Sequence, residues 1–421
     1  MPSKNRFDLR VVCQLFYPEL VSTGQTLTEL VEELSNSGLR IKVVASQPTV
    51  LKDSEIVPKV INYNNIQIVR TWSTRFSKLS FLGKLTNLTT FFISASFEVL
   101  FKDRKVPLLL LTNPPYLALL GWLNYFFNRC NFGVILFDIM PEQAELVNVI
   151  KKNGLISKIW KYLNKNWYKK AKFATVLSTD MLEGAIDNAK IRGAKFEEQA
   201  RNKTFTIHIW ADDRLIKPIP KEQSSEAVNL NVTKKFVVQY SGNHGRFHDI
   251  ETIIEIASKI NDEDVVFQFI GEGYKKIFVD HAIQSNKCKN IYSYTYIRKN
   301  LLAESLAMAD LGVVAQLPGQ ERVCYPSKLL GIMASGRAIL AICPKDTEMA
   351  KMITDNNLGF VISNGDVDEG IRIINYAKAN LYIVKQMGQN SLNYLKNNLT
   401  LKDSSLKYSN LIERKLLIGK N

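Results

Sequence analysis

Short apolar runs alternate along the chain with longer stretches of helical period. LRVVCQLF (9–16) precedes QTLTELVEELSNSG (25–38), whose apolar positions recur three and four residues apart. IKVVAS, IQIVRTW, VPLLLLT, FGVILFD and FATVLS follow, separated by helical patterns. Near residue 215 the alternation restarts with KKFVVQY (234–240), VVFQFIG (265–271), DLGVVA (310–315) and RAILAIC (337–343). Strands that are apolar throughout are covered on both faces, so the pattern predicts parallel sheets flanked by helices. Two such series predict two doubly wound domains, 1–215 and 216–402, with IKPIPKEQSSEAVNLN (216–231) as the linker stretch. A last helical pattern, from about residue 403, comes after the second domain is complete. The most apolar segment, VPLLLLTNPPYLALLGWLNYFF (106–127), is divided by Asn113-Pro114-Pro115 into a strand and a helix, which argues against a membrane span.

Composition narrows the class. The chain has 421 residues, 46% hydrophobic and 23% charged, as in an ordinary globular protein. Five scattered cysteines without a CxxC, and four histidines, make a disulfide framework or a zinc site a poor expectation and favour a reducing compartment. MPSKNRFDLRVV runs straight into a strand pattern without a signal-peptide core. The net charge is +15, and residues 151–172 alone carry eight lysines and no acid. On a helix, Leu155, Ile159, Leu163 and Trp167 share one face, which packing on a sheet explains; Lys158, Lys161, Lys165 and Lys169 lie elsewhere and suit an anionic surface.

Ligands of open α/β sheets bind beyond the carboxyl ends of strands, so the loops there are the candidates. PELVSTGQT (18–26) brings Gly24 and a helix start, without a dinucleotide fingerprint. YSGNHGRFHD (240–249) offers Asn243, Gly245, Arg246 and His248 as a nest for phosphate. Gly271 and Gly273 open the next turn, which a compact connection with solvated Lys275 and Lys276 also explains. YPSKLLGIMASGR (325–337) places Ser327 as a helix cap and Lys328 as a mobile charge, with Glu321 shortly before. In DIMPE, Asp138 and Glu142 either meet a sugar hydroxyl or, for Asp138, cap a helix. Two D-x-D patterns, at Asp262–Asp264 and Asp366–Asp368, read as structural, and no metal is expected.

YSGNHGRFHDIETIIEIA, FQFIGEGYKK, SLAMADLGVVAQ, PSKLLGIMASGR and LGFVISNGD, in that order and spacing, make the chain resemble the retaining glycosyltransferases of family four. LFYPE with Gly24, TNPP and DIMPE fit the acceptor-side domain, so the resemblance covers nearly the whole chain. Within the family it is most similar to the group that builds bacterial surface polysaccharides such as O-antigen, colanic acid and capsule.

The resemblance implies a GT-B fold: two Rossmann-like domains, an interdomain cleft, and a C-terminal helix (403–421) returning to the first domain. It implies sugar transfer with retention from a nucleotide-diphosphate sugar, a UDP-sugar first, to a saccharide acceptor, often polyprenyl-diphosphate-linked. The 1–215 domain would hold the acceptor, with Gly24, Asp138 and Glu142 on its side. The 216–402 domain would hold the donor, with Arg246, Lys328 and Glu321 in catalysis and Asn243, Gly245, His248, Gly271, Gly273 and Ser327 in donor binding. Asn243 and His248 stand where the common family pattern has Arg and Lys, and Gly331 stands at the second glutamate of its Glu-x7-Glu motif. No cofactor is implied. The lysine segment would hold the enzyme at the cytoplasmic face of the inner membrane. The rivals are a GT-B sugar-nucleotide epimerase, which needs a carboxylate pair the chain does not display, and a basic membrane- or nucleic-acid-binding protein. No recognition motif accompanies the lysines, so nucleic acid is not an expected partner.

Overall fold

The computed structural model describes residues 6–19, 23–48, 57–76, 81–190, 193–211, 216–285 and 288–417. The chain forms two compact units: Met1–Ile209 with Arg322–Cys324 and Leu401–Asn421, and Trp210–Glu321 with Tyr325–Thr400.

In the first unit the strands are β1 (Leu9–Val12), β2 (Ile41–Ser46), β3 (Val60–Tyr63), β4 (Ile66–Thr71), β5 (Leu108–Leu111), β6 (Phe132–Ile135), β7 (Phe173–Val176) and β8 (Thr204–Thr206). They form one sheet in the order β3-β4-β2-β1-β5-β6-β7-β8, parallel except for the β3–β4 pair. Its helices are α1 (Thr23–Asn36), α2 (Phe81–Phe101), α3 (Ala118–Asn128), α4 (Glu142–Leu146), α5 (Leu155–Lys170), α6 (Thr179–Lys190) and α7 (Ala194–Arg201). The central strands are buried along their whole length, as continuous apolar runs demand.

The first α-helix of the second unit is α8 (Ser225–Asn229). The unit's sheet comprises β9 (Phe236–Ser241), β10 (Val265–Ile270), β11 (Ile291–Tyr294), β12 (Leu311–Ala315), β13 (Ala338–Ile342) and β14 (Gly359–Ile362). The order is β11-β10-β9-β12-β13-β14 and every pair is parallel. Helices α9 (Ile250–Lys259), α10 (Lys276–Gln284), α11 (Leu302–Ala307), α12 (Lys328–Ala334), α13 (Glu348–Asp355), α14 (Val367–Ala379) and α15 (Leu381–Asn398) connect and cover it. The last helix, α16 (Leu401–Ile412), belongs to the first unit: Ser404 Oγ donates to the His208 carbonyl at 2.8 Å, and Tyr408 is buried there beside Thr175.

The 216–231 stretch carries more structure than its composition suggests. Lys221 is buried and ion-paired to Asp310 at 2.5 Å, and Ser224 caps α8 through the Ala227 N–H.

Strand order fixes where ligands can sit. Each sheet reverses direction once, at β1/β5 in the first unit and at β9/β12 in the second. The loops leaving those strands diverge to opposite faces and leave a crevice.

Candidate functional site

The second-unit crevice is built by the loop after β9. Three residues of glycine conformation make its geometry possible. Gly242 (φ 124°) turns the chain out of β9, and its carbonyl oxygen occupies the space a Cβ on Gly271 (φ 130°) would need. Gly273 (φ 146°) lies in the same way against the His244 carbonyl. The two loops therefore pack backbone to backbone, with Gly242 N–H donating to Ile270 O and His244 N–H to Glu272 O, both at 2.8 Å. Tyr240 Oη donates to the Asn243 carbonyl at 2.9 Å, and Asp249 caps α9 through the Thr252 N–H.

Lys275 completes the clamp. Its Nζ donates to the His248 carbonyl and to Glu251, each at 2.8 Å, and the residue is buried. Lys276 is tied to Asp280 and Ser293. The expectation of two solvated lysines in this turn is thus overturned: Lys275 holds the β9 loop, and a strand–helix spacing in sequence could not show which carbonyl it would reach.

Lys328, the first residue of α12, lays its stem across Gly242, where a Cβ would come within 2.8 Å of Lys328 Cε. Its Nζ lies 5.1 Å from the Tyr240 ring centroid and 3.4 Å from His248 Nε2. His248 Nδ1 accepts the Gly245 N–H at 2.9 Å. Burial, then the charge of Lys328, lowers the His248 pKa to about 3, and burial lowers that of His244 to about 4, so both rings are neutral at pH 7. Arg246 is exposed, with its guanidinium 3.4 Å over the centroid of Tyr274, an aromatic that sequence reading passed over although it follows Gly273 directly.

The remaining second-unit candidates differ. Asn243 is exposed and Gly245 buried within the same loop. Ser327 is exposed, already helical in backbone, and makes no side-chain cap bond, so the capping expected of it is not what starts α12. Glu321 folds back on its own turn, Oε2 accepting the Gly319 N–H at 2.9 Å. Asp262 and Asp264 pair with Lys378 and Lys235 before β10, and Asp366 caps α14, which accounts for both D-x-D patterns.

In the first unit a hollow at the β1/β5 reversal is lined by Gln14, Leu15, Thr112, Asn113, Asp138 and Gln143. Gly24 is buried against the Glu19 carbonyl, where a Cβ would come within 2.8 Å; Leu20–Ser22 of the same loop lie outside the described residues. Asp138 does not cap α4, whose preceding residue is Pro141; it accepts from Gln143 Nε2 at 2.7 Å and bridges Cys324. Glu142 faces Lys161 at 3.6 Å rather than a hollow.

Helix α5 departs most from expectation. Trp167 is buried and Leu163 half-buried, but Leu155 and Ile159 are 75% and 52% exposed, joined by exposed Ile156 and Tyr162. Lys161 turns inward to Glu145 at 3.0 Å, and Lys165 is half-buried, so of the four lysines assigned to a membrane face only Lys158 and Lys169 are exposed. An inward carboxylate at Glu145 attracts Lys161, and helical periodicity alone does not reveal it.

Known proteins supply a frame for this geometry. No family model matches the chain. It is 27% identical over 253 residues to a Pseudomonas aeruginosa protein named as a glycosyltransferase, WbjE, covering 59% of this chain and 60% of that protein. It is 29% identical over 118 residues to WcaI of Escherichia coli K12, named for colanic acid biosynthesis, covering 28% and 29%. The chain thus matches at most about three-fifths of the length of these relatives. Among solved structures, sucrose-phosphate synthase from Thermosynechococcus elongatus superposes with a TM-score of 0.72 at 13% identity, over 96% of this chain and 98% of that one. Anabaena HepE, solved with UDP-glucose, gives 0.69 at 13% identity over 97% and 100%. WaaG, a glycosyltransferase of lipopolysaccharide biosynthesis, gives 0.63 at 11% identity over 96% and 99%. The fold is GT-B, and the chain is similar to glycosyltransferases of surface-polysaccharide assembly.

Proposed function

We propose that the protein is a retaining glycosyltransferase that moves a sugar from a nucleotide-diphosphate sugar, a UDP-sugar first, to a saccharide acceptor in bacterial surface-polysaccharide synthesis. The observation that carries this reading is the meeting of Lys328, His248 and the glycine-shaped β9 loop at the β9/β12 reversal, with Arg246 stacked beside them. A diphosphate leaving group gains negative charge as the glycosidic bond breaks. Donors already fixed by protein contacts stabilise that charge without reorganising. Lys328 supplies full charge and Arg246 a second cation. In front-face transfer the departing diphosphate oxygen accepts the proton of the acceptor hydroxyl, so no side-chain base is required. HepE, a fold neighbour solved with UDP-glucose, supports a uridine nucleotide as the first donor to try. Charge neutralisation by side chains is proposed in place of a metal, with no cofactor.

The acceptor is assigned to the first unit, where Asp138 and Gln143 line the hollow at β1/β5. A lipid-linked acceptor suits the outer surface of that unit. Phe97 and Phe101 of α2, Phe126 and Phe127 of α3, and Leu155, Ile156 and Ile159 of α5 are exposed, with Lys158 and Lys169 among them. Apolar side chains with neighbouring cations favour an anionic bilayer surface. Among the described residues no helix is long and apolar enough to cross a membrane.

The test is a thermal-shift panel of UDP-, GDP-, dTDP- and ADP-sugars on wild type and Lys328→Ala. A ligand bound at one hundred times its Kd adds about 2.7 kcal/mol to stability. One nucleotide series should raise the wild-type Tm and raise the variant far less. A millimolar panel without any shift would remove the diphosphate assignment.

A further inference from the structure

The sheet of the second unit has another hollow, at the end opposite the loop after β9. It lies among the residues that lead into β9, β10 and β11 and the turn after α8, and measures about 670 Å³. Pockets that hold small ligands run from about 300 to about 1,000 Å³. Unequal cover on the two faces of the sheet explains it. One face carries the main core, with Val238, Phe267, Phe269 and Ile291 buried in it. The other carries a small cluster around Val237, Val266 and Ile270, closed by Ala227 of α8 and by Met308. Helix α8 is five residues long, and cover on this face thins toward the edge strand β11. There Tyr292 is 46% exposed and Tyr294 half-buried. They stand opposite Gln268 and Ile270 of β10. As alternate residues of one strand they share a face, ~6.6 Å apart along it.

The polar part of the lining has a definite character. Its charged residues are Lys235, Lys289, Asp262 and Glu263, two of each sign. Lys235 pairs with Asp264 at 3.0 Å and Asp262 with Lys378 at 2.6 Å. The hollow therefore has no single-signed field to draw in a phosphate or a nucleic acid. Asn290 Nδ2 donates to the carbonyls of Ala257 and Ile260, each at 3.1 Å, which fixes the amide at the end of α9. Its Oδ1 is buried and, among the described residues, has no hydrogen-bond partner. A fixed acceptor in that state calls for a donor, and the hollow beside it is where one can enter. Asn231 and Asn261 are exposed in the same lining.

We infer that this hollow is a second carbohydrate site, taking a neutral oligosaccharide of two or more rings. A pyranose presents an apolar C–H face and a rim of hydroxyls. Tyr292 and Tyr294 offer aromatic faces to the first, and the asparagine amides pair with the second. The absence of net charge in the lining matches a ligand without charge. The site stands on its own residues and does not rest on the donor-site reading. Lying away from the loops after the strands, it leaves them free while a glycan is held.

Saturation-transfer NMR on the full chain tests it, with maltotriose, cellotriose, mannotriose and triacetylchitotriose at millimolar concentration and no nucleotide present. At least one trisaccharide should take up saturation from wild type. Tyr292→Ala should weaken that ligand about tenfold or more, as for the loss of one stacking ring, and keep the wild-type Tm because the side chain is exposed. Tyr292→Phe, which keeps the ring, should bind as wild type does, and so should Lys328→Ala. Silence of all four sugars would overturn the inference. So would binding that survives Tyr292→Ala, which would put the glycan elsewhere, or binding lost in Lys328→Ala, which would put it in the β9/β12 crevice. If nucleotide sugars fail to shift the Tm while trisaccharide binding follows Tyr292, the transferase reading falls and this site remains.

Discussion

Arg10 shows how little a residue's job is visible in its neighbours. It interrupts the apolar run of β1, yet it is 1% exposed. Its guanidinium donates to the carbonyls of Val106, Val99 and Lys102 at 2.8–3.1 Å, closing the end of α2 and the approach to β5. Replacing it by methionine would leave three carbonyls, two of them buried, short of a donor, so Arg10→Met should destabilise by about 3 kcal/mol in urea unfolding. A change below about 0.5 kcal/mol would mean that water takes over those contacts. His244 makes the opposite case. Among the described residues neither ring nitrogen has a hydrogen-bond partner, and the ring lies against Tyr240 and Phe269. Burial lowers its pKa to about 4, with Lys328 and Lys276 acting in the same direction and the nearby Glu272 carbonyl opposing. The unfolded state then binds a proton, near pH 6.5, that the folded state refuses. Stability from this residue is present above about pH 6.5 and is lost as pH falls toward about 4. His244→Phe should keep or raise the Tm at pH 7 and flatten the acid limb of a melt series from pH 4.5 to 7.5; a large loss at pH 7 would reveal a partner for the imidazole. That His248 and Lys328 lie at one edge of the same sheet was legible, since each sits at a fixed place in a loop–helix pattern, and the structure brings them within 3.4 Å. The clamp by Lys275 was not, since it depends on a backbone carbonyl brought to it from the loop of another strand.

At the scale of elements, the apolar runs located ten of the fourteen strands, leaving out β3, β8, β11 and β14, and misjudged which face of α5 is covered. Helix α5 has the apolar stripe of a packed helix, and its second half is packed, with Trp167 buried. Its first half is held by Glu145, which accepts from the Asn153 N–H at 2.9 Å, from Ser157 and from Lys161. Burial raises the Glu145 pKa, but those three donors outweigh it and the net shift is downward. The clamp fixes α5 with Leu155, Ile156 and Ile159 turned outward. A hydrophobic stripe therefore signals contact with something apolar without saying whether that is the sheet or a bilayer. The paired change Leu155→Glu and Ile159→Glu removes exposed apolar surface and adds charge of the wrong sign for an anionic membrane. It should leave the Tm within about 2 °C, since surface changes away from special features stay within about 0.5 kcal/mol. Co-sedimentation with vesicles rich in phosphatidylglycerol should fall severalfold. Undiminished sedimentation at low and moderate salt would take α5 out of the membrane proposal.

For the whole molecule, the two series of apolar strands predicted two parallel sheets, and strand order then fixed each reversal without reference to any motif. What the linear pattern expressed only as an extra helix after the second sheet is a structural dependence of the first unit on the end of the chain. Helix α16 places Tyr408, Leu411 and Ile412 in the first unit, with Leu416 buried just beyond it. Burial pushes the Tyr408 pKa upward, and its hydroxyl meets Thr175 of β7 at 3.2 Å. The first unit therefore cannot complete its core until the second has been synthesised. Truncating a buried aromatic of this kind costs about 3–5 kcal/mol through lost transfer energy and the cavity left behind. Tyr408→Ala should lower the first unit's unfolding transition by that amount, while Tyr408→Phe, which removes only the hydroxyl, should cost about 1 kcal/mol. Calorimetry on the full chain, with and without the nucleotide that stabilises it, separates the units: ligand should raise the transition that contains β9–β14 and leave the Tyr408→Ala loss in place. If Tyr408→Ala left both transitions unchanged, the packing of α16 would be dispensable, and the end of the chain would serve the second unit alone.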